Sequence, residues 1–428
     1  MDQWAATATI DWDLGWASLA SVTGTIELDR FFHIDVDAGP ADQFDFFQTD
    51  TVQQVTQELR LAGSGDTLDW LIGAFWSADD VGVDTNGLHQ DLIPGEMSHI
   101  DADQTTRCAA GFVNLDWRFA VTLALTGGLR YTYEARDYVG GSTWTVNIPG
   151  AIEDTFIDAG IEDRNWSWKL GLNYTPIDDA LIYGNVSKGV KSGGFVSGVT
   201  TNQAQLQPYK PEELIAYEIG AKTQGALSLN ASAFYYDYTN VQVFMRSASA
   251  PVQLIGNVED AEVYGADFDA RWLLGDSLTL QGGLGLLRSK LGAFADPSGN
   301  AVPGQPPPQI PEGNELANAP ALTFNALVRY ELPFLFALRS ALQADAHYSD
   351  EVFKEATNNT LIKAEAYWIY NARVSVFAPD AAWELALWGR NLSDEEYVVQ
   401  GLDIGAFFIG NRNYNAPRTF GAELSVHF

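Results

Sequence analysis

Polar and apolar residues alternate one for one along most of this chain. In the stretch 165–174, Trp166, Trp168, Leu170, Leu172 and Tyr174 make one face, and Asn165, Ser167, Lys169, Gly171 and Asn173 make the other. Tyr264, Ala266, Phe268, Ala270 and Trp272 repeat the pattern against Gly265, Asp267, Asp269 and Arg271, and Trp368, Tyr370, Ala372, Val374 and Val376 repeat it against Ile369, Asn371, Arg373 and Ser375. A period of two predicts β-strands with two unlike faces. Read end to end, it predicts seventeen strands, at about 4–13, 17–31, 53–62, 67–78, 105–117, 119–135, 163–175, 180–190, 213–223, 226–245, 261–273, 278–289, 320–330, 337–349, 366–376, 383–399 and 417–428.

The linkers between these strands alternate in length. Leu14-Gly15-Trp16, Gly63-Ser64-Gly65-Asp66, Pro176-Ile177-Asp178-Asp179, Gln224-Gly225 and Leu274-Gly275-Asp276-Ser277 are short, whereas 32–52, 79–104, 136–162, 191–212, 290–319 and 350–365 are long. Short turns on one side and long loops on the other are the habit of outer-membrane barrels, whose short turns are periplasmic. Rings at strand ends and aliphatic residues between them fit aromatic girdles at the two lipid–water interfaces. Strands of ten or more residues also exceed the usual length in a soluble sandwich. The fold class expected is all-β, a transmembrane antiparallel meander. Residues 1–428 form a single β-barrel domain, and the Pro-rich run Pro303 to Pro311 falls in a loop, where missing N–H groups cost no sheet bonds.

Composition narrows the options further. Rings are plentiful (13 Trp, 12% aromatic) and charges sparse (19%), so something must cover apolar surface, yet no run of about 18 apolar residues exists for a membrane helix. A net charge of -32 excludes nucleic acid as a partner, because phosphate binding needs a basic surface. One cysteine, Cys108, rules out a disulfide framework and a multi-thiolate metal site. Met1-Asp2-Gln3-Trp4 reads straight into a strand, without the charged and apolar regions of a signal peptide, so the expectation is a mature or truncated chain.

Specific stretches carry a resemblance. They are Val186-Ser187-Lys188-Gly189-Val190-Lys191-Ser192-Gly193-Gly194-Phe195, Pro211-Glu212-Glu213-Leu214-Ile215-Ala216-Tyr217-Glu218-Ile219-Gly220-Ala221-Lys222 and Ala233-Phe234-Tyr235-Tyr236-Asp237-Tyr238. Val263 to Asp269, Asn391-Leu392-Ser393-Asp394-Glu395-Glu396-Tyr397 and Pro417-Arg418-Thr419-Phe420-Gly421 continue the series. In this order they resemble the C-terminal barrel of TonB-dependent outer-membrane receptors, from about residue 180 to the end. The resemblance implies about 17 strands of a twenty-two-stranded barrel, with a plug domain and about five strands absent. It implies energy-dependent uptake of a scarce nutrient across the Gram-negative outer membrane, with an iron–siderophore complex the commonest cargo. The partners implied are outer-membrane lipid, the barrel-assembly machinery and, only through a plug, the TonB energy-transducing complex. A plugless porin-like channel and a non-functional truncated receptor are the alternatives.

Candidate chemistry is limited. Phe420, Leu424, Val426 and Phe428 share one face of the last strand and look like the signal read by the assembly machinery. Trp144, Phe195, Phe407 and Phe408 lie in loops, where they could stack on a sugar or an aromatic chelator or pack within their own loop. His89 and His99, with Asp91, Glu96, Asp101 and Asp103 nearby, are ligand types for a divalent ion, but their spacing in an irregular loop is no recognised metal motif. Asp267 and Asp269 form an acidic pair on one strand face beside Arg271, pointing into a hydrated lumen rather than across a scissile bond. There is no nucleophile elbow, phosphate loop or zinc-protease helix, so neither catalysis nor a cofactor is expected.

Overall fold

The computed structural model describes residues 1–35, 45–90, 93–145, 152–246, 253–295, 309–333, 338–380, 382–404 and 409–427. Its strands are β1 (Asp2–Asp13), β2 (Ser18–Asp35), β3 (Asp45–Ser64), β4 (Leu68–Gln90), β5 (Ile93–Ala120), β6 (Leu123–Trp144) and β7 (Thr155–Ile177). They continue with β8 (Ala180–Lys191), β9 (Glu212–Thr223), β10 (Leu227–Arg246), β11 (Gln253–Leu274), β12 (Leu278–Leu291), β13 (Phe294–Ala295) and β14 (Gln309–Ile310). The last are β15 (Leu322–Pro333), β16 (Arg339–Ser349), β17 (Tyr367–Phe377), β18 (Trp383–Arg390), β19 (Val398–Ile404), β20 (Ile409–Tyr414) and β21 (Thr419–Val426). Seventeen of them form one antiparallel sheet, each paired with the next, and β13–β14 and β19–β20 are separate small hairpins inside loops. No helix among the described residues is long and apolar enough to cross a membrane.

The outward face follows the alternation read from the sequence. Trp166, Leu170, Leu172 and Tyr174 are exposed, as are Tyr264, Phe268 and Trp272, and Trp368, Tyr370 and Val374. On a water-facing sheet this continuous belt would drive association; facing lipid, it is what holds the wall in place. Two rings of aromatic side chains bound it. Trp4 and Trp12 on β1, Trp166 and Tyr174 on β7, and Tyr264 and Trp272 on β11 are each eight residues apart on the same face. At about 3.3 Å per residue and a tilt of about 40°, the rings lie about 20 Å apart in depth, close to the lipid-facing band of such barrels. Neighbouring strands join rings in the upper girdle: Tyr131 meets Trp166 at 4.8 Å between centroids, and Tyr348 meets Trp368 at 5.0 Å.

Short turns close the lower ends of the strands. Gly15 (φ 83°) and Gly275 (φ 62°) supply the left-handed conformations that two of these reversals require. The upper side differs from expectation. Most of 79–104 and 136–162 is not irregular loop but strand, because β4 and β5 run on to 23 and 28 residues and β6 and β7 to 22 and 23. The reason is an inversion of the pattern. Within the belt of β7 the apolar residues face out, whereas above it Ile157, Ala159 and Ile161 face in and Asp158, Gly160 and Glu162 face out. Outside the membrane the outer face meets water, so the apolar side turns to the interior, and a reading that followed outward rings stops too early.

The strand expected to run to 399 also stops short: β18 ends at Arg390, and Asn391 (φ 50°) and Asp394 (φ 58°) turn the chain away. Among the described residues β1 pairs only with β2 and β21 only with β18. With seventeen alternating strands, these two edges run in the same direction.

Candidate functional site

The inward face of the wall is polar and internally bonded. Arg373 on β17 reaches Glu384 on β18 and Glu423 on β21, each at 3.0 Å. Asn371 Nδ2 donates to Asp345 Oδ2 (2.7 Å), and His347 Nδ1 lies 2.7 Å from Asn325 Oδ1. Tyr183 donates to Glu218 at 2.6 Å, with the Lys222 ammonium over the Tyr183 ring. Between these groups a recess of 420 Å³ includes Asp267, Asp269, Asn230 and Asn325 in its wall. Its floor is β12, where Gly283 and Gly285 leave room for the two carboxylates: a Cβ on Gly283 would lie 2.9 Å from Asp269 Oδ1. Interleaved donors and acceptors of both signs make a hydrated wall able to hold a polar protein surface or pass a polar solute. Cys108 faces the same interior, half-buried.

Above the belt, the segment 192–211 between β8 and β9 folds inward as a strap against β6 and β7. Three hydroxyls fix it: Thr200 Oγ1 lies 2.7 Å from Thr155 Oγ1 and 3.1 Å from Ser142 Oγ, and all three residues are buried. Trp144 Nε1 donates to the Thr200 carbonyl (2.8 Å), so this ring is packed under the strap. Phe195 stacks on Tyr138 with centroids 4.9 Å apart and planes 10° from parallel. Arg136 donates to the Gly193 carbonyl (2.7 Å), and the Gly193 N–H donates to Asp163 (2.8 Å). A capping box between Asn202 and Gln205 shapes the turn of the strap.

The rim from β10 onward is built otherwise. Left-handed Asn240 (φ 53°) interrupts β10, beyond which Val241, Val243 and Met245 are buried with Val258, Leu291, Phe294 and Ala356. Tyr367 on β17 stacks flat on Tyr397, 3.7 Å between centroids, with His347 beside it. In the loop after β16, Lys363 pairs with Glu351 (2.8 Å) and Glu365 (3.3 Å).

The structure thus separates the residues singled out in the sequence. Trp144 packs under the strap and Phe195 belongs to the strap itself, while Phe407, Phe408 and Phe428 lie outside the described residues. His99 sits on the outward face of β5 with Nδ1 4.0 Å from Asp84, and His89 lies on β4 opposite Glu96, so these two belong to paired strands rather than an irregular loop. No group of three possible metal ligands occurs among the described residues. Phe420, Leu424 and Val426 point outward on β21 and are exposed.

A family model described as TonB-dependent receptor-like β-barrel matches residues 1–392. The chain belongs to this family. Among solved structures, this TonB-dependent receptor barrel is similar to the ferric yersiniabactin uptake receptor FyuA from Yersinia pestis, with a TM-score of 0.82 and 17% identity over 100% of this chain and 61% of that one. It is also similar to the siderophore receptor PiuA from Acinetobacter baumannii (TM-score 0.75, 16% identity, 99% and 63%). The ferric citrate transporter FecA gives a TM-score of 0.70 at 14% identity over 99% and 61%. This chain therefore spans about three fifths of the length of the structures it matches.

In this receptor barrel the sequence reading missed the interior rings. Tyr183, Phe234, Tyr236 and Tyr367 face inward, on the side assigned to polar residues, and Phe234 and Tyr236 stack at 4.8 Å. A signal was present: Phe234, Tyr235 and Tyr236 are consecutive, and a strand cannot turn three neighbours to one side.

Proposed function

We propose that this chain is the barrel of an outer-membrane receptor that takes up a scarce nutrient, an iron–siderophore complex first among the candidates. The carrying observation is one wall with three zones: a lipid-facing apolar belt between two aromatic rings, a bonded polar interior, and a tall rim against which a strap folds inward. Support for the cargo comes from the relatives, whose descriptions name ferric yersiniabactin, ferric citrate and a siderophore, although a copper transporter, OprC, is also similar (TM-score 0.71, 12% identity). In such a receptor a plug domain seated in the lumen passes on the pull of the TonB complex, and the polar wall is the surface that would hold it. The chemistry required of the wall is binding and release, not bond-making.

We further propose that the chain contributes seventeen strands of a larger barrel. Its two edges run in the same direction, so antiparallel closure needs an odd number of strands between them, and five would make twenty-two. An edge left open in lipid would cost several kcal/mol for each unpaired backbone group.

Titration of the chain in lipid bilayers with a panel of ferric and cupric chelates, read by quenching of its 13 tryptophans, tests the receptor reading. Saturable binding of one chelate at about 1 μM or tighter is expected. Steady single-channel conductance with no saturable chelate would overturn it in favour of a passive channel.

A further inference from the structure

The outward face of the β5–β7 ribbon carries a recess that uptake through the lumen leaves unused. It holds 500 Å³, within the range of small-ligand pockets. His99, Asp101 and Asp103 stand on one side of it, Phe156 and Gln203 on the other, and Gly140 and Gly141 form part of its floor. That floor must stay bare at Gly141, where a Cβ would run into the Thr155 carbonyl.

Side and height follow from the strands. Phe156 shares its face with Trp166 on β7, and His99, Asp101 and Asp103 share theirs with Leu115 and Trp117 on β5, so these residues point away from the lumen. Phe156 stands ten residues beyond Trp166. On a strand tilted by about 40°, that puts it about 25 Å above the upper aromatic ring. Around a barrel in the Gram-negative outer membrane, that level is filled by the sugars of the glycolipid leaflet, so the placement rests on the outer-membrane reading above.

The chemistry fits a sugar. Phe156 is 63% exposed, an expensive position for a phenyl ring in water. Gln203 fixes it from behind: Nε2 donates to the Phe156 carbonyl (2.7 Å) and Oε1 accepts from the Phe156 N–H (3.2 Å). A pre-positioned flat ring stacks on the C–H face of a pyranose, while carboxylates across the recess accept its hydroxyl hydrogens. The lining holds acids and an imidazole but no Lys or Arg among the described residues, which disfavours phosphorylated or carboxylated sugars and favours neutral or amino sugars. We propose that this recess binds a neutral or amino-bearing pyranose of the surface glycolipid, with Phe156 as the stacking platform and Asp101 and Asp103 as hydroxyl acceptors.

The test titrates the full chain in detergent micelles with complete-core lipopolysaccharide, the lipid-free core oligosaccharide and lipid A, read by saturation-transfer NMR. Complete-core lipopolysaccharide is expected to bind at least about tenfold more tightly than lipid A, and Phe156→Ala to weaken it about tenfold, as Asp101→Asn with Asp103→Asn also should. The lipid-free core should bind as the complete-core lipopolysaccharide does, since the sugar rather than the acyl chains is recognised. Heat-modifiable migration of each variant verifies that the barrel is intact. Equal affinity for lipid A and complete-core lipopolysaccharide, or an unchanged affinity in Phe156→Ala, overturns the site. The chelate titration above, repeated on Phe156→Ala, keeps the two readings apart. Unchanged chelate binding is expected of an outward site, parallel loss of chelate and glycan binding overturns that assignment, and absence of chelate binding in the parent chain overturns the uptake reading alone.

Discussion

Two arcs of the same wall solve the problem of leaving the membrane differently. From β2 to β7 the strands simply continue, β5 to 28 residues, as tall ribbons, and on β4 to β7 the inner face becomes apolar above the belt while the outer face becomes acidic. From β15 to β21 the strands stop near the belt, β16 after 11 residues and β18 after 8, and the rim is made of folded loops. In the tall arc backbone pairing supplies the order and side chains fasten the strap to it. In the short arc, side-chain bonds supply most of the order, as where Asn358 and Asn314 tie the loop after β16 to residues 314–315. The lesson is that rigidity at the mouth is unevenly shared, and the tall arc is the stiffer flank.

The strongest way to break this difference is to unfasten the strap. Tyr138→Ala removes a ring that is 1% exposed and stacked on Phe195, which should cost the ribbon about 3–5 kcal/mol locally. Trypsin should then cut after Lys191 at least tenfold faster while the belt strands stay intact; unchanged cleavage would mean that the strap is held by something other than this stack. A smaller effect is expected from Thr200→Val, which keeps the shape but leaves the Ser142 and Thr155 hydroxyls short of a partner. About 1–3 kcal/mol should be lost, visible as faster amide exchange confined to 192–211 and the tips of β6 and β7. In the short arc Tyr397→Ala, which deletes the flat stack on Tyr367, should cost about 1 kcal/mol beyond the lost area and loosen β19–β20 without touching the strap.

The mildest test is pH. Lys363, in the loop after β16, is held above its ordinary 10.5 by its hydrogen bond to Glu351 and then by Glu365. A raised folded-state value means that the pairing is fully present below about 10.5 and fades only as pH climbs through the higher value. Proteolysis of residues 350–366 should therefore be flat from neutral pH to about 10 and rise only above it, while cleavage in the tall arc stays constant. A rise beginning near neutrality would show that another group governs the loop.

Much of the wall was legible in the sequence because the membrane imposes one rule on every strand. The alternation of Tyr264, Phe268 and Trp272 against Asp267 and Asp269 located β11, and the short turns at Gly15 and Gly275 marked the lower ends. The rule failed where its cause ended. Above the lipid, Ile157, Ala159 and Ile161 point inward, so the same period with the opposite sign reads as loop to an eye seeking outward rings. The rim was least legible, since Thr200 meets Ser142 and Thr155 only after the chain has passed through β7 and β8 and turned back. Phe195 and Trp144 were visible as rings, but nothing local shows that the segment 192–211 would cover Trp144 and seat Phe195 on Tyr138.

Cys108, alone of its kind and turned to the interior of β5, gives the molecule a native reporter. A bulky membrane-impermeant maleimide can reach it only along the lumen, so its labelling rate measures how open the passage is from above. No engineered thiol is needed, and every variant discussed above can be followed on the same clock.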